Sequence, residues 1–527
     1  MGEYDDVTAA EAASDVPRDP TDNKSTSMVV QDESAGERTG KRPVALLVAV
    51  ACTVFGARLV VISAFGSSVP VLDQWGAEGR MLYLPYLKGT LSVADLFASH
   101  NGHRIVITRL LALGHLELAG EWNTRLEMIF GALVLTVFVT WLAALLMPFV
   151  AQDRRLLLAC FIALVFAFPV DYENTVWGFQ SQVYLSLLAG LAALVAFASA
   201  KAFSPRWFGG LAAGVLAYFT FATGVAALSA AVMLVSLQLA TNMRKRCRRE
   251  IAAVVVMALI ALALIVWGAG STKTMSSLWT FAAGLGIFAA LTLLGAIPIL
   301  WFCRRTLTRR PSVSDRDWLI VGLSAWVAIQ LALFAYGRGI LVAPRYMGVV
   351  LLVYPIALVA VLVRSDRNRS TMRGRSQLRL FTWVLTVMGA VAVAGCASVA
   401  ACSYWAKGAD QQLADVRAYL ATGNVADLRE QGARNFGTVL VLPDAEGLAL
   451  ILQDPDLRAI LPHDIRPAGA DIAGARNRML LKGKLAGATD AAVERLLASS
   501  PLIPAIGIGL LFVIGISRRR PVTERFR

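Results

Sequence analysis

The sequence predicts an all-α polytopic membrane protein of about 12 transmembrane helices, with a small extracytoplasmic α/β domain. Three observations predict it. Of 527 residues, 57% are hydrophobic and only 16% charged, against roughly 25% charged in a soluble globular domain. The apolar residues gather in runs such as Pro43 to Ala64, Leu126 to Val150 and Ile251 to Trp267, each near the roughly 20 residues that cross a bilayer as a helix. The basic residues stand in short clusters between those runs, where they orient helices.

Residues 1–42 carry ten acids against five bases and few aromatics, so a disordered cytoplasmic tail is expected. The first apolar run follows this polar stretch and has a span's length of its own, which suits a retained helix better than a signal peptide. Successive runs place spans at 43–66, 126–150, 156–170, 182–200, 207–222, 225–241, 251–268, 279–302, 318–336, 347–363, 380–402 and 501–517. With the amino terminus inside, the short inner segments hold 25 bases, from Arg154 to the terminal Arg527. The short outer loops hold only Lys273, Arg338 and Arg345, an asymmetry that puts both termini in the cytoplasm of a multi-pass plasma-membrane protein. The same clustering explains the net charge of +14 without a nucleic-acid partner, which would need the bases on one folded surface. Six scattered cysteines imply neither a disulfide framework nor a metal site.

Two outer segments are long. In residues 67–125, Thr90 and Ser92 precede Asp95 as at a helix start, and Ile105 to Ala119 is mostly apolar, so interfacial helices are expected on the membrane surface. In 403–500, helical spacing at Ala409 to Ala421 and Ala491 to Ala498 flanks Thr438-Val-Leu-Val-Leu442, which reads as a buried strand, hence the α/β domain.

All four histidines fall on the expected outer side, and three lie in the first long loop. That loop opens Val71-Leu-Asp-Gln-Trp75, reaches Glu78 and Arg80, and later reads Ser99-His-Asn-Gly-His-Arg104. An aspartate just past a first span sits where a lipid-borne substrate and a soluble acceptor both arrive, and its carboxylate can take a proton from a hydroxyl. Asp73 is therefore the candidate base, with a helix cap or a salt bridge to Arg80 or Arg104 as its plainer role. His100 and His103 lack a convincing third ligand, so hydrogen bonding that closes the loop over a pocket is expected of them, not metal. Glu173-Asn-Thr-Val-Trp-Gly-Phe-Gln180 brings a carboxylate, amides and aromatics to another outer mouth, a mixture suited to sugar binding or to interfacial anchoring. Arg338 and Arg345 sit where the charge bias opposes them, and a guanidinium fork suits a lipid phosphate, with headgroup snorkelling as the alternative. The Phe221-Ala-Thr-Gly224 break reads as a structural turn.

Asp73-Gln-Trp, His100-Asn-Gly-His-Arg-Ile105, Glu173 to Gln180 and Arg345-Tyr346 resemble the recurring segments of a group of bacterial membrane proteins with a GT-C-like plan. The GT-C superfamily comprises multispanning glycosyltransferases that take sugar from a polyprenyl-phosphate donor on the outer face. The resemblance covers roughly residues 43 to 364. It implies an inverting transfer to an envelope glycan or lipid acceptor. Asp73 would be the catalytic acid-base residue, Arg338 and Arg345 would hold the donor phosphate, and Glu78, His100, His103, Arg104, Glu173 and Gln180 would bind substrate. The family's acid often comes as a pair, whereas Gln74 follows Asp73 here and Glu78 is the next carboxylate. No cofactor is assigned, and a divalent metal is left open. A transporter or lipid flippase is the competing class, although the halves show no evident repeat and Arg58 is the clearest interior charge. A noncatalytic envelope scaffold is a third.

The expected topology is checked by reporter fusions. One after Arg249 or Arg375 should read cytoplasmic and one within residues 410–490 external; an external signal at Arg375 overturns the map.

Overall fold

The computed structural model describes residues 25–269, 276–367, 373–429 and 444–517. It is 81% helical, and no strand occurs among the described residues. That architecture follows from the solvent the sequence implies: in hydrocarbon, only a helix or a closed barrel satisfies every backbone N–H and C=O. Among the described residues, nine helices are long and apolar enough to cross a membrane, or ten if the pair Ala486–Ala498 and Leu502–Ser517, bent by 49°, forms one span. Helices stand at all twelve expected positions, but Arg155–Ala167 and Pro205–Thr220 have only 13 and 16 residues. At about 1.5 Å per residue these fall short of a roughly 30 Å hydrocarbon core.

The first helix runs Ser25–Phe65, ahead of its apolar part. Of the tail expected to be disordered, residues 1–24 lie outside the described residues, and from Ser25 the backbone is helical. Extending a formed helix adds a hydrogen bond per residue without a new nucleus, which favours such continuation.

Within Leu47–Arg527, the Pro344–Arg367 helix is the most enclosed, with 83% of its apolar window buried, against 22% for Arg248–Ala269. Asp317–Arg338 packs on Val225–Ala240 and on Leu278–Arg309, which also lies along Met347–Arg367. Loops expected on one face meet one another: Arg154 pairs with Asp366 at 3.4 Å, and Arg244 reaches the carbonyls of Phe197 and Ala200 and the carboxylate of Glu250.

A buried ion pair crosses the bundle. Arg58 Nη1 lies 2.8 Å from Asp171 Oδ1, both side chains wholly inaccessible. Arg58 also donates to Thr175 Oγ1 at 2.7 Å and to the Phe166 carbonyl at 3.0 and 3.2 Å, while the Tyr184 hydroxyl donates to Asp171 Oδ2 at 2.8 Å.

The two long segments, 67–125 and 403–500, fold together. Residues 403–500 start as the end of a 50-residue helix, Arg373–Thr422, and continue as Ala445–Gln453, Pro455–Ile460, Ile472–Arg478 and Ala486–Ala498. The strand expected at 438–442 lies outside the described residues; what is described of this segment is helical. Its Tyr419, Leu448, Leu452 and Leu457 share one core with Trp75, Tyr83, Leu116 and Trp122 of the first segment. The Trp122 N–H donates to the Ile460 carbonyl at 2.7 Å, and Glu117 accepts from the Leu480 and Leu481 amides. The first segment was expected as separate surface helices. It does hold a helix start at Ser92, where the hydroxyl and Asp95 cap reciprocally, and a helix at Val106–Ala119. Its apolar face is buried against the second segment because Trp75 and Trp122 need a protein partner to leave water.

Breaking the ion pair should be costly. Arg58→Met or Asp171→Leu alone should destabilise the detergent-solubilised protein by about 3 to 5 kcal/mol, and the double replacement by clearly less, because a single change strands a buried charge. Thermal unfolding measures this; additive losses would deny the coupling.

Candidate functional site

Asp73 owes its position to its neighbours. Leu72 adopts a left-handed φ of 53°, uncommon for a branched residue, and the chain then enters a π-helix at Trp75–Tyr83, a form frequent near functional sites. Gln74 is buried: its Oε1 accepts from the Val71 amide at 3.2 Å, and its Nε2 donates to Glu78 at 3.1 Å and Glu127 at 2.9 Å. Gln74 thus anchors the turn inward and leaves Asp73 partly exposed at its rim.

A hairpin turn supplies the next residues. The His100 and His103 backbones exchange two 2.8 Å hydrogen bonds, and Asn101 and Gly102 between them have φ of 47° and 80°. Two consecutive left-handed residues define the turn that Asn-Gly favours. It directs Asn101 Nδ2 to Asp73 Oδ1 at 3.2 Å and His100 Nε2 to 3.8 Å from the same oxygen. Burial pushes the Asp73 carboxyl up, but the close His100 imidazole, the hydrogen bond from Asn101 and the nearby charge of Arg345 outweigh it and hold the group below the usual carboxylate range. His103 stacks on Phe221 with centroids 4.7 Å apart. Burial, with the charges of Arg338, His100 and Arg345, pushes its imidazole down to about 4, so it is neutral at physiological pH.

The third wall comes from the Asp171–Gln182 segment and from Arg338 to Tyr346. Glu173 lies 3.2 Å from Arg345 Nη1, and Asn174 Nδ2 donates to the Arg345 carbonyl at 2.9 Å. The Arg345 guanidinium also sits over the rings of Trp177 and Tyr346. Burial raises the Glu173 carboxyl's pKa, opposed by Arg345. Gly178 is a required close approach, since a β-carbon there would lie 2.6 Å from Glu127.

Asp73, His100, His103, Gln180, Arg338 and Arg345 line one open cleft. Its walls are aromatic at Phe179, Phe221, Phe334 and Tyr346. Buried polar atoms without hydrogen-bond partners also border it: Gln180 Oε1, Gln182 Oε1 and His103 Nδ1. A carboxylate, two guanidiniums, unsatisfied amides and flat apolar surfaces together suit an anionic ligand that also carries hydroxyls.

Three expected substrate-binding residues do not line the cleft. Glu78 is buried behind Gln74. Arg104 turns toward the Trp267 ring, 4.2 Å from its centroid, and donates to the Phe97 carbonyl. Glu173 stands behind Arg345 and positions it. Burial decides Glu78, the ion pair with Arg345 decides Glu173, and the aromatic face of Trp267 decides Arg104. Conversely, Asn101, Gln182 and Thr223 join the lining, and the Phe221 to Gly224 turn, expected to be structural only, contributes Phe221 and Thr223. Asn-Gly between two polar residues was the available signal for Asn101. Gln182, polar near the start of an apolar helix, was another. Among the described residues, no group of three His, Cys, Asp or Glu side chains could hold a metal ion.

No protein-family model, curated protein or solved structure matches this chain.

Burial pushes the Glu78 carboxyl up to about 8, against an ordinary 4.5, despite the hydrogen bond from Gln74. Because its folded-state pKa is raised, its protonation supports the fold fully below about 4.5, and that support fades as pH rises through about 8. Melting temperatures in detergent from about pH 5 to about pH 9 should fall for the wild type and fall less steeply for Glu78→Gln, which keeps the neutral shape. Identical slopes would remove Glu78 as the source.

Proposed function

We propose that this protein is an integral membrane glycosyltransferase that moves a sugar from a polyprenyl-phosphate donor to a cell-envelope glycan or lipid acceptor on the outer face, in a twelve-span topology with both termini cytoplasmic. The observation that carries the reading is the convergence of Asp73, Arg338 and Arg345 from three separate loops on one cleft. In the proposed inverting step the acceptor hydroxyl attacks the anomeric carbon, its proton passes to the Asp73 carboxylate, and the bond from that carbon to the phosphate oxygen breaks. The departing polyprenyl phosphate keeps the bonding electrons as an anion held by Arg338 and Arg345. The depressed Asp73 pKa keeps the group ionised but weakens it as a base, so its position beside the acceptor must carry the step. Gln180, Gln182 and neutral His103 offer hydrogen-bonding atoms to sugar hydroxyls.

A second reading, a transporter or lipid flippase, has one observation in its favour. Glu127 lies buried in the first turn of an apolar helix and shares Gln74 with Glu78, and buried acids on spanning helices mark proton pathways in many carriers.

Incorporation of labelled sugar into envelope glycan by membranes carrying each variant separates the readings. Asp73→Asn should lower kcat by about 10²- to 10⁴-fold with donor binding retained. Arg338→Ala, which strands no carboxylate, should mainly raise KM, since a phosphate-gripping residue is engaged before the transition state. Full activity in Asp73→Asn would remove this mechanism. Vectorial uptake by reconstituted wild type without any glycan product would favour the carrier.

A further inference from the structure

A second charged cavity lies far from the cleft. The Leu278–Arg309 helix touches the cleft region through Gly284, which abuts Gly339, and Trp301 lies 17 residues further on, roughly 25 Å along the helix. There Trp301, Arg304, Arg305, Thr308, Arg309 and Arg367 border an open groove. Arg309 is held by Asp315 at 2.6 Å and Asp317 at 3.5 Å. Arg305 instead lies across the faces of Trp301 and Phe302, and its Nε is buried without a hydrogen-bond partner. Arg364 approaches the Trp301 ring at 5.4 Å from a neighbouring cavity that also contains Arg379. Asp315 and Asp317 offset part of this charge, chiefly at Arg309, and an anion beside Arg304, Arg305 and Arg367 would offset the rest.

The apolar surface beside this cavity identifies the kind of anion. Leu293, Ile297, Leu300 and Arg304 repeat at helical spacing on one face, and the three apolar members are 56%, 60% and 68% exposed. An anionic group seated at Arg304 and Arg305 would therefore have an exposed apolar stripe running away from it along the same helix. A soluble phosphate compound would leave that stripe unused. Basic pockets between spanning helices are a recurrent means of holding acidic headgroups.

We propose that this pocket is a binding site for an anionic phospholipid, its phosphate held by Arg304, Arg305 and Arg367, its glycerol region against Trp301, and its tails along Leu300, Ile297 and Leu293. The site is independent of the transfer chemistry proposed for the cleft.

The test uses the full chain in detergent, offered phosphatidylglycerol and phosphatidylcholine with identical acyl chains, with retained lipid counted by native mass spectrometry. Wild type should retain phosphatidylglycerol in at least about tenfold preference. Arg304→Gln/Arg305→Gln/Arg367→Gln should bring the preference near parity, whereas Arg246→Gln/Arg248→Gln/Arg249→Gln, an equal loss of charge elsewhere, should keep it. Parity in the wild type overturns the proposal by itself, whether or not the variants fold. Equal loss in both triple variants overturns it as a general charge effect. Release of phosphatidylglycerol by millimolar inorganic phosphate overturns the lipid assignment in favour of a soluble anion.

Discussion

The buried ion pair between Arg58 and Asp171 is the constraint around which the rest is arranged. Removing two charges from water carries a penalty of several kcal/mol per ion, recovered only when geometry and extra hydrogen bonds are good. Here Thr175, Tyr184 and the Phe166 carbonyl supply those bonds. The pair joins the first apolar helix to the segment that begins at Asp171, and that segment holds Glu173, Asn174, Trp177 and Gln180. A β-carbon at Gly348 would lie 3.0 Å from Asp171 Oδ2, so the start of the Met347–Arg367 helix is seated on the same carboxylate. Through Asn174 and Glu173 the pair therefore reaches Arg345, and through Gln180 it reaches the floor of the cleft.

Asp73 depends on a second buried polar group. Gln74 bridges Glu78 and Glu127, and Tyr83 and Trp122 pack around the same site, with edge-on rings 5.1 Å apart. Gln74 and Trp75 are both drawn inward, while Asp73 just before them stays at the rim. The core formed with the 403–500 segment then holds the π-helix in place. The catalytic position proposed for Asp73 thus rests on packing contributed by residues more than 300 positions away in sequence, such as Tyr419 and Leu457.

The two charged cavities divide the bases into different tasks. At the cleft, Arg345 is stacked, paired and oriented, as a residue needs to be for recognition in fixed geometry. At the far end, Arg304, Arg305 and Arg367 surround a half-buried indole beside exposed hydrocarbon, an arrangement suited to an amphipathic ligand. The Pro344–Arg367 helix carries Arg345 near one end and Arg367 at the other, and Leu278–Arg309 runs from the cleft region to the second site.

Hydropathy and charge order by themselves determined that the chain is a helical membrane protein, where its helices stand, and which loops carry unusual polar groups. These are properties of local composition: the cost of an unsatisfied backbone in lipid acts on each apolar run separately. The three loops singled out in sequence do border one cleft, because side chains unfit for lipid must converge where the bundle shelters them. Tertiary structure alone decided the partners. Glu78, Arg104 and Glu173 have the same chemistry as cleft residues, yet burial, a Trp267 face and Arg345 draw them elsewhere. The union of the two long segments depends on pairings across some 350 residues, such as the Trp122 amide with the Ile460 carbonyl, and no local pattern encodes a contact whose energy exists only once both ends are already in place.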